Sequence, residues 1–168
     1  MEEHNNKTIF ITLGVVVALI VFYFFIAKNT QIDTTQEDQQ QEQQDVNDVE
    51  ISLNQVDVEN VENEADKLPE GFPTDIPVEL SNITESYSTD YKDAGFVQKS
   101  LVYTSEKGVA WLFSEYEKFM KDNGYEITDS TTDDGYAYLY GSKEGDDLSL
   151  VFEGADGSTI VSVTYLDR

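Results

Sequence analysis

A run of 19 residues without a charge, IFITLGVVVALIVFYFFIA at positions 9–27, constrains this chain more than any other feature. As a helix it would span about 29 Å, close to the hydrocarbon thickness of a bilayer. A helix also satisfies every backbone polar group internally, which lipid demands. The run exceeds the apolar core of most cleaved signal peptides. Phe25, two residues before Ala27, fits poorly with a small-residue cleavage site. The segment therefore reads as an uncleaved anchor. With no cysteine anywhere in the chain, lipidation at a cysteine is excluded. Lys7 and Lys28 flank the run on either side, so positive charge discriminates little between orientations. The short N-terminal flank and the long polar region that follows favour a signal anchor. Residues 29–168 are then expected outside the cytoplasm, on a single-pass cell-membrane protein.

Beyond the anchor the chain turns acidic. It holds 34 Asp and Glu against 10 Lys and Arg, a formal net charge of -24. Such a balance disfavours nucleic-acid binding, which needs a basic surface. The absence of cysteine removes disulfides, thiolate nucleophiles and cysteine-based metal centres. The only histidine is His4, so no Ser-His-Asp triad can form in the polar region.

Residues 29–67 read as an acidic linker rich in Gln, Glu and Asp, without aromatic residues or glycine. Too little apolar surface is present to offset the entropy of ordering. For 40 residues a flexible coil would extend about 35 Å, and charge repulsion lengthens it. Between Val46 and Val61 the pattern is ambiguous. Val46, Val49, Leu53 and Val56 have helical spacing, while Val49, Ile51 and Leu53 alternate. Disorder is the expectation; a short helix or a partner-binding strand is the alternative.

Residues 68–168 read as the folded domain. Pro69, Pro73 and Pro77 make a stiff lead-in, with Phe72 and Ile76 as its contacts to a core. Ile83 to Thr89 alternates as a polar edge strand, and Phe96 to Thr104 as a better one. Val109, Leu112, Phe113, Tyr116, Phe119 and Met120 then form one apolar stripe, predicting a helix from Glu106 to Asn123. Ser105 is its expected cap and Gly124 its left-handed stop. Short alternating runs follow around 125–127, 136–140, 148–152 and 159–165, separated by glycine-containing turns. The order ββαββββ predicts an α+β, two-layer domain, with one helix packed on an antiparallel sheet.

LPEGFPTDIPV at 68–78 and LFSEYEKFMKDNGYEI at 112–127 carry a resemblance. They are similar to a small domain recurrent in bacterial and archaeal exported proteins, often behind an anchor or a lipidated N-terminus. Its marks are an L-P-x-G-F-P-x-D-x-P opening, a helix with an F-Y-x-x-L/F pair, and G-W or G-Y at the helix end. This chain departs from it at Tyr125, where tryptophan is common, and at Ser114 and Glu115, which separate Phe113 from Tyr116. The resemblance implies the architecture and no catalytic residue.

Candidate sites are few. Asp133, Asp134, Asp146, Asp147 and Asp156 lie in three acidic turns, which raises a calcium site, since hard cations take several oxygen ligands. No stretch matches a calcium-binding loop, and solvated hairpin turns are the simpler reading. Paired carboxylates suggest a hydrolase, but turn acids are ordinarily solvated and unperturbed. Tyr136, Tyr138 and Tyr140 fall on one face of a strand. Packing against the helix is the expectation for them; an exposed aromatic ladder is the alternative. Trp111 lies at the margin of the helical stripe. These four aromatics are the candidate binding surface. The sequence thus predicts a membrane-tethered interaction module without catalytic residues or cofactor. Its soluble domain would be monomeric, with a protein or cell-envelope partner. A small-ligand or calcium sensor is the second reading and a carboxylate hydrolase the third.

Overall fold

The computed structural model describes residues 51–168. The expected anchor at 9–27 and the linker up to residue 50 lie outside the described residues. Among the described residues, no helix is long and apolar enough to cross a membrane.

Seven antiparallel strands and one helix make up the domain: β1 Ile51–Gln55, β2 Ile83–Tyr91, β3 Phe96–Ser105, α1 Val109–Asp122, β4 Glu126–Asp133, β5 Tyr136–Lys143, β6 Asp146–Ala155 and β7 Ser158–Asp167. The strand order is β1-β2-β3-β7-β6-β5-β4. Two meanders, β1–β3 and β4–β7, meet where β3 pairs with β7, with Leu101 opposite Val163. The chain leaves β3 in the middle of the sheet, runs through α1, and restarts at the far edge as β4. Hairpins then carry it back to the centre. The α+β two-layer architecture is as expected, with one strand more than the sequence pattern predicts.

That extra strand corrects the linker. Ile51–Gln55 pairs antiparallel with β2, Ile51 opposite Tyr91 and Gln55 opposite Tyr87. A further bond from the Val56 amide to the Ser86 carbonyl (2.9 Å) extends the contact. Residues 64–67 form a turn of 3-10 helix capped by Asn63. Composition argued for disorder here because the stretch has no core of its own. The edge of β2 supplies one, by accepting backbone hydrogen bonds that the segment cannot make alone. Consequently β2 is interior to the sheet, and the edges are β1 and β4.

The helix behaves as its stripe predicts. Leu112, Tyr116 and Met120 are buried, and Val109, Phe113 and Phe119 pack partly buried beside them. Each fully buried side chain of this size contributes roughly 1.5–3 kcal/mol by leaving water. Its start differs from expectation. Gly108 is the N-cap and makes no side-chain bond. Ser105 instead remains in β3, opposite Thr159. Its hydroxyl accepts the Lys107 amide (3.2 Å) and donates to Glu79 Oε1 (2.7 Å). The C-terminal stop is as read: Gly124 has φ +82°, and the Tyr125 amide returns to the Met120 carbonyl at 2.9 Å.

One sheet face carries the core. Ala137 and Leu139 of β5, Leu148, Leu150 and Phe152 of β6, Val161 and Val163 of β7, and Leu101 and Tyr103 of β3 are all buried on it. The helix contacts β4, β5 and β6. It packs tightly at Gly141, where a Cβ would stand 2.7 Å from Met120 Cε and 2.8 Å from the Glu126 carbonyl oxygen. The proline lead-in joins the same core through Phe72 and Ile76, both buried as expected. Phe72 meets Tyr165 edge-on at 6.4 Å. Tyr116 donates its hydroxyl proton to the Pro77 carbonyl. With that proton committed, the 2.8 Å bond between the Tyr103 and Tyr116 hydroxyls must be donated by Tyr103.

Candidate docking surface

Ala137 and Leu139 point into the core, so strand alternation sends Tyr136, Tyr138 and Tyr140 to the opposite face. This reverses the expectation that the tyrosines pack against the helix. The reason is steric. The helix approaches β5 closely, and Ala137 and Gly141 admit it where a ring would not. Tyr136 is 38 % exposed, and Tyr138 and Tyr140 are half-buried.

Among the described residues no helix covers this outer face, and the register defines its layout. One row across the sheet runs Tyr87, Ser100, Thr164, Ser149, Tyr140. The next runs Glu85, Val102, Ser162, Val151, Tyr138. The floor is short and polar. Ser100, Thr164, Ser149 and Gln98 are buried between taller neighbours. Gln98 Nε2 donates to Ser100 Oγ (3.1 Å), and Ser100 Oγ meets Thr164 Oγ1 at 3.3 Å. Ser149 Oγ is buried without a hydrogen-bond partner among the described residues. It stands near the Tyr138 hydroxyl, whose pKa it lowers against the larger effect of burial.

Apolar groups border this floor. Tyr91, Phe96 and Leu166 form a small buried cluster at one corner, the two rings 4.7 Å apart. Ile51 and Leu53 of β1 lie beside it, 55 % and 63 % exposed. Val102, Val151 and Ile160 continue the apolar surface toward Tyr138. The charge on the face is one-sided. Glu85, Asp129, Asp133, Asp147 and Glu153 lie on it by register. Its strands contribute no lysine there, since Lys99 and Lys143 alternate to the helix side. Arg168, at the chain's end, is engaged by Asp147. Burial pushes the Glu85 carboxyl up, and no basic side chain among the described residues pairs with it. Burial together with Asp147 pushes the Tyr140 hydroxyl up to about 12. Burial likewise raises Tyr87 and Tyr138. These phenols are neutral donors at physiological pH.

The other sequence candidates fall elsewhere. Trp111 is half exposed on the helix, in the opposite layer, with Lys107 Nζ 4.2 Å above its ring. It does not join the tyrosines. The acidic turns are split between the two ends of the sheet. Asp133, Asp134 and Asp156 lie at the end where Tyr136 pairs with Glu153. Asp146 and Asp147 start β6 at the other end, where Asp146 accepts from the Tyr165 hydroxyl (2.6 Å) and Asp147 holds Arg168. Among the described residues no three acidic or histidine side chains converge as a metal cage. Asp133 and Asp134 border an open hollow beside the helix start, with Glu106 across it.

Glu85, Ser100, Val102, Ser149 and Thr164 were not among the candidates. A β-bulge hid Glu85 and Tyr87: the register shifts between Ile83 and Glu85, so Ile83 faces the core while Tyr87 faces outward. The uninterrupted alternation of Ser149 and Val151 against Leu148, Leu150 and Phe152 was the available signal for the β6 pair.

Comparison of the chain with protein-family models, with curated proteins and with solved structures found no match.

Proposed function

We propose that this chain is a membrane-tethered, extracytoplasmic interaction module without catalytic chemistry. Residues 9–27 are its anchor, residues 29–50 its acidic spacer, and the outer sheet face its contact surface. One observation carries the reading. Among the described residues, a seven-stranded sheet packs a helix and a proline lead-in on one face and neither on the other, which is lined by Tyr87, Tyr138 and Tyr140. Tyrosines offer broad contact area at low entropic cost and suit such surfaces. The resemblance carried by LPEGFPTDIPV at 68–78 and LFSEYEKFMKDNGYEI at 112–127 would imply the same placement. Self-association through this face is disfavoured by its excess of negative charge. A calcium sensor draws less support, because the acidic turns lie at opposite ends of the sheet and two of their carboxylates are already engaged. The hydrolase reading draws none from the carboxylates on the sheet, which are spread across separate strands.

The test is photo-cross-linking in cells of the native host. A photoreactive phenylalanine replaces Tyr138 on the sheet face or Trp111 on the helix in the full-length chain. Adducts at position 138, formed with the domain outside the membrane, support the reading. Adducts at position 111 alone, or protection of Glu144→Cys from a membrane-impermeant maleimide until lysis, overturn it.

A further inference from the structure

The contact surface has a chemistry of its own, and we infer that its partner is an extended segment carrying basic residues around an apolar one. This rests on the reading of the outer face as the contact surface, and it specifies what that face recognises. Glu85 ends, at β2, the row formed by Val102, Ser162 and Val151, and Glu153 stands beside Val151 on β6, one row further on, opposite Ile160 and Tyr136. They are three strands and one row apart, about 16 Å at the usual strand spacing and rise. Four residues of extended chain cover about 13–14 Å of that distance, and long basic side chains reach the remainder. Two cations four positions apart can therefore reach both carboxylates while the residue between them lies over the valines.

Three features favour a cationic occupant over others. Neither glutamate is ion-paired to any described residue, so each would gain a partner on binding. Tyr87 and Tyr138 stand beside the two positions, and aromatic faces attract ammonium and guanidinium groups. The face has no lysine of its own to repel such a segment, while the net charge of the chain draws one in. An anionic polymer would meet the same carboxylates unscreened. A second copy would oppose like charges across the valine strip.

The experiment is an amide NMR titration of the full-length chain in detergent micelles, in salt of about 0.15 M to screen distant charges. The probe is the blocked pentapeptide Lys-Ser-Val-Ser-Lys, and its counterpart has both lysines replaced by glutamate. The lysine peptide is expected to shift the amides of Glu85, Val102, Val151 and Glu153, and the glutamate peptide to leave them in place. The double substitution Glu85→Gln, Glu153→Gln should weaken the lysine peptide by about fivefold, the scale of two partly exposed ion pairs. Removing the same charge elsewhere, with Glu59→Gln and Glu62→Gln, should change it far less. Equal weakening by both pairs would show attraction to net charge alone and overturn the inference. So would shifts confined to the helix or the acidic spacer. If the peptide leaves the face untouched while position 138 still cross-links in cells, the surface stands and its proposed cationic partner falls. If both fail, the surface reading falls as well.

Discussion

Leu139 and Tyr138 are neighbours in one strand, and the account places them in opposite environments. Leu139 is fully buried on the helix side of the sheet, opposite Leu150. Leu139→Ala removes three carbons, a methine and two methyls, from a core flanked by the helix and by β6, where little can move in to fill the space. Such changes cost about 2–5 kcal/mol. Tyr138 is half-buried on the open face, and Tyr138→Thr keeps a strand-forming residue there. Its cost should stay below about 1 kcal/mol, the scale of one lost cross-strand pair. The fragment 46–168, a compact unit by itself, suits equilibrium unfolding in urea. With a slope of about 1.5 kcal/mol per molar, a 3 kcal/mol loss moves the midpoint down by about 2 M. Tyr138→Thr should move it by less than about 0.7 M. A reversed order, with Tyr138→Thr the more damaging, would place the tyrosines in the core and refute the face assignment.

Three further outcomes follow from the packing. Gly141→Ala should destabilise the same fragment by about 1–3 kcal/mol, since its methyl would collide with Met120 and the Glu126 backbone; Gly124→Ala, in open space at positive φ, tests left-handed strain without collision, and thermal melts report both. A fragment beginning at Lys67 lacks β1 and bares the edge of β2, so it should unfold at lower urea than 46–168 and associate at high concentration in light scattering. Glu85 has a folded pKa raised above 4.5 by burial, so the folded state binds its proton more tightly and stability falls as pH rises from about 4.5 through that folded value; Glu85→Gln should therefore raise the melting temperature at pH 7, with the advantage fading below pH 4.5.

Much of the domain was legible in the sequence because local signals agreed with tertiary ones. The six-residue stripe of α1 has no competing periodicity, and the glycine turns leave the chain few ways to connect β4 to β7. What was not legible depended on partners distant in the chain. Ile51–Gln55 forms a strand because β2 offers an edge more than thirty residues later; the alternation of Val49, Ile51 and Leu53 hinted at a strand, but the acidic surroundings outweighed it and did not show the partner. The bulge at Thr84 exchanges the faces of Ile83 and Tyr87 without a glycine or proline to mark it. Ser105 resembles a helix cap, but pairing with Thr159 keeps it in β3. The tyrosine ladder was ambiguous because a tyrosine suits a core margin and an open face equally. The deciding residues were its small neighbours, Ala137 and Gly141, which a close-packed helix requires. Of the candidate surface, the ladder was named from the sequence. The polar floor and Glu85 emerged only once β2, β3, β7 and β6 were set side by side.

The central claim is that the face bearing Tyr138 is the one that meets a partner. The natural chain has no cysteine, so single substitutions report on maleimide reactivity without background. Tyr138→Cys and Trp111→Cys in the full-length protein are each labelled twice, once after purification and once in intact cells of the native host. The account predicts fast labelling at both positions in the purified protein, and in cells a marked slowing at 138 with none at 111. Equal rates at 138 in both settings, or protection of 111 in its place, would contradict it.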